Sequence, residues 1–107
     1  MPRYLFQASY TAEGVRGLLR DGAEARVKAA DALVASLGGK MECFYFCFGK
    51  NDVVAIAELP DASAAAALSA TIAATGVVRG HVTPLLTKEE MDKALKSDTT
   101  YKAPGQK

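Results

Sequence analysis

Long apolar runs are missing from this 107-residue chain, and no stretch approaches the roughly 20 residues that a membrane-crossing helix requires. The opening Met1-Pro2-Arg3-Tyr4-Leu5-Phe6 lacks the charged leader, apolar segment and small-residue cleavage site of a secretory signal, so a cytoplasmic location with no membrane partner is expected. An excess of one charge is missing too. Thirteen Lys and Arg stand against 12 Asp and Glu, a formal net charge of +1, and no basic stripe is present that could neutralise a row of phosphates, which argues against a nucleic-acid partner.

Metal-binding residue types are also scarce. There are two cysteines, Cys43 and Cys47, and one histidine, His81. Four residues apart on a strand, the cysteine Cα atoms are about 13 Å apart, too far for a disulfide within one chain. The set lacks the close Cys-x-x-Cys spacing of a zinc site, so no metal is expected. A phosphate loop, a dinucleotide fingerprint and a Ser-His-Asp order are all absent, leaving the cofactor unknown.

What is present is the composition of one folded domain, with half the residues hydrophobic and 23% charged. Residues 1–96 are read as that domain and 97–107 as a polar C-terminal tail holding Pro104 and Gly105. Arg3 to Tyr10 alternates as a strand, with Tyr4, Phe6, Ala8 and Tyr10 on one side and Leu5, Gln7 and Ser9 on the other. Thr11 to Gly22, with Gly14, Gly17 and Gly22, reads as a loop with an irregular turn. Ala23 to Leu37 places Val27, Ala30, Val34 and Leu37 at helical spacing before the stop Gly38-Gly39.

Lys40 to Phe48 and Val53 to Glu58 read as a hairpin around the turn cluster Gly49-Lys50-Asn51-Asp52. Asp61 is placed to cap an Ala-rich helix from Ala62 to Thr75, and Val77 to Leu86 forms the fourth strand. Thr87-Lys88-Glu89-Glu90 has capping-box spacing and opens a short C-terminal helix. The order is β-α-β-β-α-β plus that helix: an α+β, ferredoxin-like fold with a four-stranded antiparallel sheet and both main helices on one face.

Pairing parity sorts the two faces. Phe44, Phe46 and Phe48 fall with Val53, Ala55 and Ala57, large against small, and are assigned to the core with Tyr4, Phe6, Ala8, Val78 and Val82. Glu42 shares that parity. The other face then carries Leu5, Gln7, Met41, Cys43, Tyr45, Cys47, Val54, Ile56, Glu58, Arg79, His81 and Leu85. So much apolar surface on a free monomer exceeds the usual patch, and a second copy of the chain is the expected cover. On this face His81, Glu58 and Tyr45 are the candidate catalytic residues, with His81 or Glu58 moving a proton and Tyr45 orienting an apolar or aromatic ligand. Gln7, Cys47 and Arg79 are candidate ligand-binding residues.

Much of the chain resembles the GYD domain family, small bacterial proteins grouped with the dimeric α/β-barrel proteins. The residues that carry the likeness are Met1-Pro2-Arg3-Tyr4, Tyr10-Thr11, Leu37-Gly38-Gly39-Lys40, Phe44-Tyr45, Gly49-Lys50-Asn51-Asp52-Val53-Val54, Glu58-Leu59-Pro60-Asp61 and Val77-Val78-Arg79. Asn51 stands where the family's Gly-Tyr-Asp motif has tyrosine. The resemblance implies a dimeric α/β barrel. Related barrel families include cofactor-independent monooxygenases, lactone isomerases and haem-degrading enzymes, and fold analogy does not choose among them. Three readings stay open: a homo-oligomer with a small-molecule site on its sheet face, a non-enzymatic oligomeric interaction module, and haem binding through His81.

Overall fold

The computed structural model describes residues 1–106 and contains eight elements: β1 (Arg3–Tyr10), α1 (Ala12–Asp21), α2 (Ala23–Ser36), β2 (Lys40–Phe46), β3 (Val53–Glu58), α3 (Ala62–Ala74), β4 (Val78–Leu85) and α4 (Lys88–Leu95). The strands form one antiparallel sheet in the order β2-β3-β1-β4. This is the α+β ferredoxin-like arrangement expected from the order of elements. Asp61 caps α3 through its carboxylate, which accepts the Ala64 N–H at 2.9 Å. Thr87 and Glu90 complete a reciprocal capping box at the start of α4.

The register joins large residues to small ones on the helix-covered face. Phe44 lies opposite Ala55, Ala55 opposite Phe6, and Phe6 opposite Val82. Tyr4, Val34, Ala57, Leu59, Ala65 and Leu68 form the buried cluster, with Phe6, Leu33, Leu37, Ile72 and Val82 packed around it. Phe44 and Phe46 meet edge to face with ring centroids 5.2 Å apart.

Three expectations are corrected. Thr11 to Gly22 is a helix rather than a loop: Thr11 Oγ1 accepts the Gly14 N–H at 3.3 Å, and Gly22, at φ 85°, closes the last turn by donating to the Leu18 carbonyl. Its glycines hide the helix from propensity, yet Gly14 has a packing reason, since a Cβ there would collide with the Val77 carbonyl oxygen. Met41 and Glu42 exchange faces because the ladder carries a bulge between Met41 and Cys43. Met41 thus packs on the core, while Glu42 reaches out to Arg3. Phe48 is 99% exposed, not in the core, because β2 ends at Phe46 and Phe48 belongs to the connecting turn.

The C-terminal arm is the least packed part. On α4, Met91 and Leu95 are exposed, as is Leu86 before it. The radius of gyration is 17.2 Å, against about 13 Å for a compact chain of this length. The principal-axis extents are 60, 32 and 22 Å. Among the described residues no helix is long and apolar enough to cross a membrane.

Candidate functional site

Side chains alternate along each strand, so the face opposite the helices is built of rows running across the sheet. One row is Tyr45, Val54, Gln7 and His81, taken in order from β2 to β4. Within it the His81 ring Nε2 lies 3.2 Å from the Gln7 side-chain carbonyl oxygen, within hydrogen-bond distance. The neighbouring row is Cys43, Ile56, Leu5 and Thr83. Leu5, Val54 and Ile56 are half-buried although no helix covers them, and Tyr45 is 67% exposed.

The outer rows are polar. At one end Glu58 pairs with Lys40 and Arg3 in the ladder, and Arg3 donates to Glu42 at 2.6 Å and lies 3.9 Å from Glu58. Arg3 is held further above its already high range, first by the Glu42 hydrogen bond and then by that residue's charge. At the other end Arg79 lies opposite Ser9, and the Cys47 thiol donates to the Asn51 carbonyl at 3.2 Å.

The six candidate residues are therefore not all brought together. Tyr45, Gln7 and His81 share a row, and Arg79 and Cys47 stand toward the turn end. Glu58 lies four residues along from Val54, about 13 Å away at strand rise, and is engaged by Arg3. Among the described residues no group of three or more His, Cys, Asp and Glu could hold a metal ion.

Two features were not singled out from sequence. Asp52, readable only as a turn former, ties the turn to the sheet: its Oδ2 accepts the Tyr10 N–H at 2.8 Å, and its own N–H donates to the Ala8 carbonyl at 2.8 Å. The available signal was its place directly before a β-rich run. The second feature is a cavity of ≈ 230 Å³ on the helix side of the sheet, lined by residues of α2 and α3 and by core-face residues of the strands. A smaller void of ≈ 50 Å³ lies on the same side. His81, which a haem reading requires, lines neither.

A family model described as the GYD domain matches residues 4–95. Searches of curated proteins and of solved structures gave no match. The matched span runs from the first strand to the last residue of α4, and on that extent the chain belongs to the GYD domain family.

Proposed function

We propose that the protein works as a homo-oligomer in which two copies stack their open sheet faces, and that the Tyr45–Gln7–His81 row forms the polar wall of a cleft for a small apolar or aromatic molecule. One observation carries this reading: an imidazole hydrogen-bonded to Gln7 and an exposed phenol stand in a row with half-buried Val54 and beside half-buried Leu5 and Ile56, on the face away from the helix-covered core of the described residues. Apolar centre and charged ends are the layout of an interface, where the middle is desolvated and the rim stays wet. The projecting α4, with Met91 and Leu95 exposed, gives each copy an apolar arm to lay on the other. In this cleft His81 takes or returns the proton and Tyr45 orients the ligand. Glu58, held by Arg3, serves the rim.

A second reading, an oligomeric module without a ligand on this face, is favoured by the helix-side position of both cavities. Two variants decide. Ile56→Lys sets a charge against the partner sheet, where an unpaired burial costs several kcal/mol, and light scattering is expected to show the mass falling to that of one chain. A folded Ile56→Lys protein that keeps the wild-type mass overturns the assembly. His81→Ala is expected to keep fold and mass, losing about 1 kcal/mol of stability, while abolishing binding of small aromatic ligands. If it dissociates instead, or still binds every ligand the wild type binds, the module without a ligand is the better description.

A further inference from the structure

The ≈ 230 Å³ cavity lies between α2, α3 and the covered face of the sheet. Its walls are apolar: Phe6 and Phe44 from the sheet, Leu33 from α2 and Ile72 from α3. The space exists because small residues line it where larger ones would close it, with Ala8 on β1 and Ala29 and Ala30 on α2. Ala29, Thr71 and Thr75 are exposed and mark its mouth. The smaller void shares Phe6, Leu33, Phe44 and Ile72 and continues toward Leu68. A dry cavity of about 150 Å³ holds benzene, so this one admits a ring with about three or four further atoms.

One cation, Arg26, is among the lining residues. Its Nε is buried and has no hydrogen-bond partner among the described residues, and no carboxylate of those residues lies within ion-pair distance of it. Native chains rarely leave a buried donor unpaired, and such a group points to something the protein chain does not itself supply. Asp52 does not answer it: it forms no ion pair with Arg26, and its Oδ2 accepts the Tyr10 N–H. Tyr10, which also lines the cavity, has its phenol pushed up first by burial, a shift that Asp52 increases and the Arg26 charge opposes. It stays a neutral hydroxyl at physiological pH. Thr75 spends its hydroxyl on the Ile72 carbonyl at 2.7 Å.

From this arrangement we propose that the cavity binds a small aromatic monocarboxylate, its ring between Phe6, Phe44, Leu33 and Ile72 and its carboxylate on the Arg26 guanidinium. A carboxylate matches the planar fork of arginine and forms short, charge-assisted hydrogen bonds. A dianion such as a phosphate monoester would leave its second charge against apolar walls with no other lining cation, which is costly. The site lies on the opposite side of the sheet from the Tyr45–Gln7–His81 row and does not depend on the oligomer.

Calorimetric titration of the full chain with phenylacetate, its neutral amide and 2-phenylethylamine tests the assignment. The acid is expected to bind about tenfold or more tighter than the amide, and the amine not at all. Arg26→Gln should bring the acid down to the affinity of the amide while leaving the amide unchanged, and Arg26→Lys should restore part of the difference. Ala30→Leu, which fills the cavity, should remove binding of both. Ala29→Trp does the same from an exposed position that leaves the core alone. His81→Ala should change none of these values, which separates this site from the sheet-face cleft. Equal binding of acid and amide, an Arg26→Gln protein that binds the acid as the wild type does, acid binding that survives Ala29→Trp, or no binding of the acid at about 1 mM each overturns the proposal.

Discussion

The two faces of this sheet are made by the same four strands, yet one is finished and the other is not. On the covered face Ala8, Val53 and Ala55 are 3% exposed or less, and each large ring has a small residue opposite. On the open face, one residue along, Leu5, Val54 and Ile56 are half-buried and Tyr45 is 67% exposed. Outside the cavity beside Arg26, the covered face packs on helices whose apolar residues match it, so its side chains determine whether the chain folds. The open face has no matching element, so its side chains are free to determine what the folded chain meets.

The contrast is tested most severely by shortening one apolar side chain on each face. Leu59, 1% exposed, sits at the centre of the core cluster, and Leu59→Ala should lower unfolding stability by about 3 kcal/mol through lost burial and the cavity left behind. Urea denaturation measures this, and mass by light scattering should stay unchanged. Ile56→Ala on the open face should cost less than about 1.5 kcal/mol in the separated chain, because much of the side chain is already wet, and should weaken association instead. If Ile56→Ala destabilises as much as Leu59→Ala without altering mass, the two faces do not divide folding from assembly.

A smaller effect is expected where the faces meet, at the turn end. Asp52→Ala removes the acceptor of the half-buried Tyr10 N–H. A donor left unpaired in such a place costs about 1 to 3 kcal/mol. Amide hydrogen exchange at Tyr10 should accelerate with it, and an unchanged rate would mean that the turn is held by its main chain alone.

Other positions on the two faces divide into what could be read from the residues and what could not. Period-two alternation placed Phe44, Ala55 and Phe6 together, because pleat parity survives any turn that preserves it. Parity failed at Met41 and Glu42, where the bulge adds one residue and nothing in Lys40-Met41-Glu42-Cys43 announces it. It failed again at Phe48, where the strand gave way to the turn two residues early. Helix α1 was hidden because Gly14 and Gly17 lower helix propensity, whereas the constraint on Gly14 is the Val77 carbonyl, 63 residues on in the chain. Of the candidate site, the Tyr45–Gln7–His81 row follows from strand register, so it was legible as residues of one face. The separation of Glu58 depends on distance along the strands and its capture by Arg3. Arg26 carries no signal in the sequence: there it is one charge on an Ala-rich helix, and only the space left by Ala8, Ala29 and Ala30 makes it notable.

The smallest effect belongs to the arm, whose residues are exposed from Leu86 through Leu95. In α4 the Thr87 hydroxyl accepts the Glu90 N–H at 3.1 Å, and Glu90 Oε1 accepts the Thr87 N–H at 3.0 Å. The Glu90 carboxyl is held below its ordinary value, first by the Thr87 backbone N–H and then by the Thr87 side chain. A folded-state value that is depressed in this way stabilises the helix fully above the ordinary carboxylate range, and the contribution disappears as pH falls through the lowered value. Thr87→Ala removes an N-cap hydroxyl, a change that typically costs about 1 kcal/mol of helix stability. With no residue of α4 buried, exchange protection across Lys88–Leu95 should fall while protection in the sheet stays as it was. Acidification should weaken α4 in the wild type, and in Thr87→Ala somewhat less, because the backbone N–H that chiefly holds the Glu90 carboxylate remains while the contribution of the Thr87 side chain is gone. Equal acid sensitivity in the two proteins would mean that the Thr87 hydroxyl contributes nothing to holding the Glu90 carboxylate, and that the backbone N–H does so alone.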